Sequence, residues 1–136
     1  MGMTSNASAQ AVAEAFVVAR RTARVLESYP GDRPVDLAQA YAIQDHAIAI
    51  DGRGISGWKV GRINAPDDER LGANRLAGPI FADSVVCVTE GTIPDMPVYA
   101  GGFAAAEAEM LLHVASGWTG PAPQTNAEVP ALLDEV

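Results

Sequence analysis

Three observations in this 136-residue sequence predict an α+β fold. Up to Asp51, apolar residues recur at helical spacing, and the second of two periodic stretches has both a start and a stop signal. From Ile55 the texture changes to apolar and β-branched runs bounded by glycines. The chain therefore divides into a helical region, residues 1–53, and a β-rich region, residues 54–136.

Residues 9–28 are the first expected helix. Val12, Phe16, Ala19, Ala23 and Leu26 share one apolar face, while Arg20, Arg21 and Arg24 fall mostly off it. Ser8 is placed to cap its start, and Pro30-Gly31-Asp32 to stop it. The second helix begins at Asp36, whose carboxylate can accept from the free N–H groups of the first turn. Gln39 sits three residues later, as in a capping box. Gly52, able to take the left-handed conformation, ends that helix after Asp51. Residues 55–63 read as a strand, and 66–71 as a short helical turn. Residues 78–88 form an apolar stretch broken near Asp83-Ser84. Gly91, Pro94 and Pro97 punctuate a loop. Residues 103–115 are the next element, 117–126 a loop, and 127–136 the beginning of a helix.

Composition excludes several classes. Hydrophobic residues make up 49% and charged residues 19%, which argues against wholesale disorder. Seventeen acidic residues against nine basic ones leave a net charge of −8, the wrong sign for a surface that follows nucleic-acid phosphates. No apolar run approaches the about 20 residues of a membrane-spanning helix. The single Cys87 excludes an internal disulfide and a cysteine-based zinc cluster. The start of the chain lacks a basic segment, and Glu14 interrupts its early apolar stretch, so a secretory signal is not expected. Met1-Gly2 invites myristoylation, but Asn6 stands where Ser or Thr is needed. Asn6-Ala7-Ser8 fits a glycosylation pattern that matters only in a secreted protein. A cytoplasmic location is the expectation.

Gly52-Arg53-Gly54-Ile55-Ser56-Gly57 matches G-x-G-x-x-G, but in reversed context. A dinucleotide site needs a strand before the glycines and a helix after them, whereas a helix comes first here. The motif reads as a helix-to-strand turn. Glu107-Ala108-Glu109 is more informative. In a strand, positions i and i+2 share a side, so two carboxylates would converge and call for a cation such as Mg²⁺ between them. In a helix, which Ala, Glu, Met and Leu also favour, the same pair would point about 200° apart. Both readings stay open on spacing alone. His113 lies four residues beyond Glu109, about 13 Å along a strand and too far to share a metal with the pair. His46 reads as a partly exposed helix residue and Cys87 as a buried structural thiol. Lys59, the only lysine, sits inside an apolar stretch, either facing water or serving as a cation or proton carrier. Asp83 ends an apolar run, as a turn residue or pointing into a site.

Four segments occur in an order and spacing that resemble the 2-keto-4-pentenoate hydratase branch of the fumarylacetoacetate hydrolase superfamily. They are LAQAYAIQ at 37–44, GWKVG at 57–61, GPIFADS at 78–84 and AEAE at 106–109. The resemblance implies N-terminal helices followed by the first half of a mixed β-roll, with residues 103–115 a strand. It implies that Glu107 and Glu109 bind Mg²⁺ or Mn²⁺, that Lys59 lies in the active site, and that Asp83 is an active-site acid. Arg62, just after GWKVG, departs from the family pattern and is a candidate for pairing with a substrate carboxylate.

The implied activity is that of a metal-dependent lyase, a hydratase adding water to a 2-oxo or 2-hydroxydienoate acid in aromatic-compound catabolism. The metal would act as a Lewis acid toward the substrate's C1 carboxylate and C2 oxygen. Lys59 and Asp83 would move protons. The same electron sink serves decarboxylation of a vinylogous 2-oxo acid, so that activity is the alternative. Family members are considerably longer, and their third acidic ligand falls beyond Val136. The chain is thus expected to be impaired alone, or to be a non-catalytic subunit or fragment. Association with a full-length family member, or homo-oligomerisation, is expected through open strand edges.

Overall fold

The computed structural model describes residues 6–135. Helices α1 (Asn6–Arg21) and α2 (Leu37–Asp51) come first. Strand β1 (Ile55–Arg62), the short helix α3 (Asp67–Leu71) and strand β2 (Arg75–Phe81) follow, and Ala82–Ser84 then form a 3₁₀ turn. Farther on are β3 (His113–Val114), a second 3₁₀ turn (Val129–Leu132) and β4 (Leu133–Glu135). The architecture is mixed α+β: helices, then small antiparallel pairs. Two compact units divide the chain, Met1–Ala104 and Ala105–Val136. Among the described residues, no helix is long and apolar enough to cross a membrane. The Met1-Gly2 signal lies outside the described residues.

In the first unit, Ala9, Val12 and Ala13 of α1 pack on Ile43 of α2, with Tyr29, Ala47 and Ile50 closing around them. The buried stripe of α1 is therefore Ala9, Val12, Ala13 and Val17, rotated from the expected one. Phe16 stands at its margin, where its ring meets Tyr29 edge-on, centroids 5.5 Å apart. Gly31 (φ 148°) passes so close to Val12 that a Cβ there would lie 2.8 Å from the valine Cγ2. Glycine is what lets the chain turn against the core at that point.

Helix α1 contains Ser8 and stops at Arg21, well short of residue 28. The Thr22 hydroxyl donates back to the Val18 carbonyl at 2.8 Å, competing with continuation of the helix. Ala23 then takes the left-handed conformation (φ 50°). Its N–H reaches the Arg20 carbonyl, and the Arg24 N–H reaches that of Ala19, which is a Schellman termination with alanine in the glycine position. Ala23→Gly is therefore expected to raise stability by about 0.5–1 kcal/mol. Relief of the left-handed cost exceeds the entropy glycine adds to the unfolded chain. The urea midpoint of the variant checks this.

The start of α2 follows the capping signal. The Gln39 N–H donates to Asp36 Oδ1 at 2.8 Å, and the Gln39 side chain accepts from the Val35 N–H. At the other end Gly52 (φ 72°) is left-handed, and its N–H bonds to the Ile48 carbonyl. Strands β1 and β2 pair antiparallel across α3, from Ile55 opposite Phe81 to Arg62 opposite Arg75. β2 begins at Arg75, three residues before the expected apolar run, and ends at Phe81.

Beyond residue 102 the chain departs from expectation in two places. Residues 103–112 are neither helix nor strand, and only His113–Val114 are paired, with β4. A run becomes a strand when a neighbouring strand pairs with it in a ladder, and among the described residues the only ladder in this stretch is that of His113–Val114 with β4. The expected helix at 127–136 is the 3₁₀ turn followed by β4. Pro130 lacks the N–H that would continue a helix, and its carbonyl instead accepts from Leu133.

Candidate functional site

The hairpin positions Lys59. It lies in mid-β1 opposite Gly78, with Gly57 and Gly61 two residues away on either side. Positions two apart, and the residue directly across, share one face of a pleated pair. All three of those positions are glycine, while Ile80 opposite Gly57 and Leu76 opposite Gly61 flank Lys59 on the same face, and a Cβ at Gly78 would meet Gln44 Oε1 at 4.0 Å. A Cβ built at Gly61 would have nothing within 4 Å. Lys59 itself is exposed. G-x-K-x-G is legible in sequence, but Gly78 as the third member depends on register.

Arg62 stands at the end of β1 directly opposite Arg75, and both are exposed. Two like charges across a strand pair repel, and an anion bound between them would relieve that cost.

Asp83 sits in the turn after β2, past the end of the hairpin, whereas Lys59 is near its middle. Its carboxylate accepts from Arg53 Nη1 at 3.1 and 3.3 Å. Arg53 also donates from Nε to Asp51 Oδ1 at 2.5 Å and from Nη2 to Oδ2 at 3.1 Å, a two-pronged pair. Its guanidinium lies 4.1 Å from the centroid of the buried Phe81 ring, and that of Arg20 lies 4.9 Å from the same ring. The Asp51 side chain is only 2% exposed. The hydrogen bond from Arg53 holds its carboxyl below the usual carboxylate range against the opposing effect of burial. The same bond raises the affinity of Arg53 for its proton. Sequence reasoning missed Arg53, reading it only as a variable position between two glycines.

Glu107 and Glu109 lie in the second unit, on the extended stretch before β3, and both are exposed. Two carboxylates are the right chemistry for a hard divalent cation but supply only part of its about six oxygen ligands. Among the described residues, no three or more His, Cys, Asp or Glu side chains gather where they could hold a metal. His113 Nδ1 pairs instead with Asp134 Oδ1 across β3 and β4. Cys87 is an exposed free thiol, not a buried one. His46 is half-buried on α2.

No protein-family model, curated protein or solved structure matches the chain.

Proposed function

We propose that the chain carries part of the machinery of a divalent-metal-dependent lyase acting on a 2-oxo or 2-hydroxydienoate acid, with hydration as the reaction. The observation that supports this reading best is the pairing of GWKVG and GPIFADS as the two strands of one hairpin. Two segments that resemble the hydratase family separately are partners in space, with Lys59 set against Gly78.

In this reading Glu107 and Glu109 would hold Mg²⁺ or Mn²⁺, which when bound supplies Lewis acidity toward the substrate's C2 oxygen. Lys59, opposite Gly78, donates a hydrogen bond or proton to oxygen in the substrate's 2-oxo acid end. Arg62, facing Arg75, pairs with a substrate carboxylate. Asp83, oriented by Arg53, passes a proton to substrate carbon as the 2-hydroxyl loses its own during ketonisation. The same groups serve decarboxylation of a vinylogous 2-oxo acid, and assay of both substrate types separates the two.

A titration of Mn²⁺ and Mg²⁺ into the full chain by calorimetry tests the metal site. Saturable binding is expected, with Glu107→Ala/Glu109→Ala weakening it by more than the roughly 10–100-fold lost when a group merely supporting a ligand is removed. Equal affinity in the variant, or no binding at millimolar metal, overturns the assignment.

A second reading, a non-catalytic subunit of a larger lyase, is favoured by exposed apolar side chains. Trp58 and Val60 on β1 are 53% and 64% exposed, and Met110 and Leu111 are 80% and 78% exposed. Light scattering with activity separates the readings. An inactive chain that gains mass and activity only with a full-length lyase supports the subunit.

A further inference from the structure

The helices of the first unit frame a feature that the lyase reading does not use. A groove of about 570 Å³ opens between α1 and α2, within the roughly 300–1,000 Å³ of small-molecule sites. Phe16, Leu26, Ile43 and Ala47 give it apolar walls, and Arg20 and Arg24 stand in the same lining. The end of α1 is fastened there. Ala100 donates to the Ala23 carbonyl at 3.0 Å, which sets Tyr99 into the lining as well. A smaller cavity of about 70 Å³ shares Phe16, Arg20, Gln44 and Ala47 and reaches Pro79 and Phe81 of β2.

The arginines here are not equivalent. Arg21 is committed to the last carbonyls of α2, at Ile50 and Asp51. Arg20 lies over the Phe81 ring. Arg24 forms no ion pair among the described residues. The chain as a whole is strongly acidic, at −8, yet two arginines stand in the lining of this apolar cleft. The Tyr29 phenol in the same lining is a hydrogen-bond donor at neutral pH, and burial pushes its titration further up.

We infer that this groove binds a small organic monocarboxylate with an aromatic or branched apolar body. The body lies against Phe16, Leu26 and Ile43, where burial of apolar surface supplies the attraction. The carboxylate meets Arg24, whose planar fork matches its two oxygens, with Arg20 adding positive potential. No 2-oxo group and no metal are required. The site shares no residue with Lys59, Asp83, Glu107 or Glu109, so it stands or falls apart from the lyase reading.

The test is calorimetric titration of the full chain with 4-phenylbutyrate and, separately, with its uncharged amide. The acid is expected to bind saturably, and the amide about tenfold more weakly. Arg24→Gln, at an exposed position, is expected to bring the acid down to the affinity of the amide while leaving the amide unchanged. Ala19→Leu, which fills the groove from α1, is expected to weaken both ligands, with the far-UV circular dichroism of each variant unaltered. Equal binding of acid and amide, undiminished binding in Arg24→Gln, or no saturable heat up to about 10 mM ligand overturns the inference.

Discussion

Replacing Ile43 with alanine is expected to cost about 3 kcal/mol of stability. Ile43 is 6% exposed and is the one residue of α2 among the buried members of the helical core. It faces Val12 and Ala13, which are 2% and 0% exposed on α1. Truncation removes buried methyl and methylene groups and leaves a cavity that the two helices close only in part, typically about 2–5 kcal/mol. Alanine returns only about 0.4 kcal/mol through its better helix propensity. The urea midpoint followed by far-UV circular dichroism measures the loss. Val60→Ala, at a 64% exposed strand position, is the control and is expected to shift stability by under about 0.5 kcal/mol. A cost below about 1 kcal/mol for Ile43→Ala would mean that α1 and α2 do not pack through this residue.

What could be read from the sequence was local. The ends of α2 were legible because Asp36, Gln39 and Gly52 act within a few residues of the backbone groups they satisfy. β1 was legible because its β-branched and aromatic residues lie between breaks. The start of β2 was not, since Arg75, Leu76 and Ala77 carry no strand signature of their own and become a strand by pairing with residues 60–62. The end of α1 was missed because alanine gives no warning of a left-handed residue. Spacing left strand and helix both open at Glu107-Ala108-Glu109 and the family resemblance implied a strand, but a pattern only permits a strand and pairing makes one. The same division runs through the candidate site. Lys59 and Asp83 stood out from their immediate neighbours. Gly78 across from Lys59 comes from register, and the hold of Arg53 on Asp83 spans 30 residues, beyond the reach of any local pattern.

Arg53→Ala is expected to cost about 2 kcal/mol at neutral pH, and to lose most of that cost in acid. Asp51 would be left without the donor that satisfies it, and its side chain is 2% exposed. Breaking a fully buried pair costs about 3–5 kcal/mol. Arg53 is itself 34% exposed, so water can enter where it stood, which brings the figure down. Its contact with Asp83, 60% exposed, adds little. The pH dependence follows from the direction of the Asp51 shift. Arg53 lowers the folded-state value below the ordinary 3.8. The pair therefore stabilises the fold above about pH 4, and that contribution fades as pH falls through the folded value. In the variant, burial raises the Asp51 value against only the charges of Arg20 and Arg21, and protonation relieves the cost of a carboxylate that has lost its hydrogen-bond donor. Urea midpoints of the two proteins should therefore converge as pH falls below about 4 and through the folded value of Asp51, and Arg53→Ala/Asp51→Asn should recover much of the loss at neutral pH. Because Arg53 also orients Asp83, the same variant should lower kcat more than KM on a dienoate acid if Asp83 moves the proton. A stability difference that stayed constant across that pH range would place the contribution of Arg53 in its stacking on Phe81 rather than in its charge.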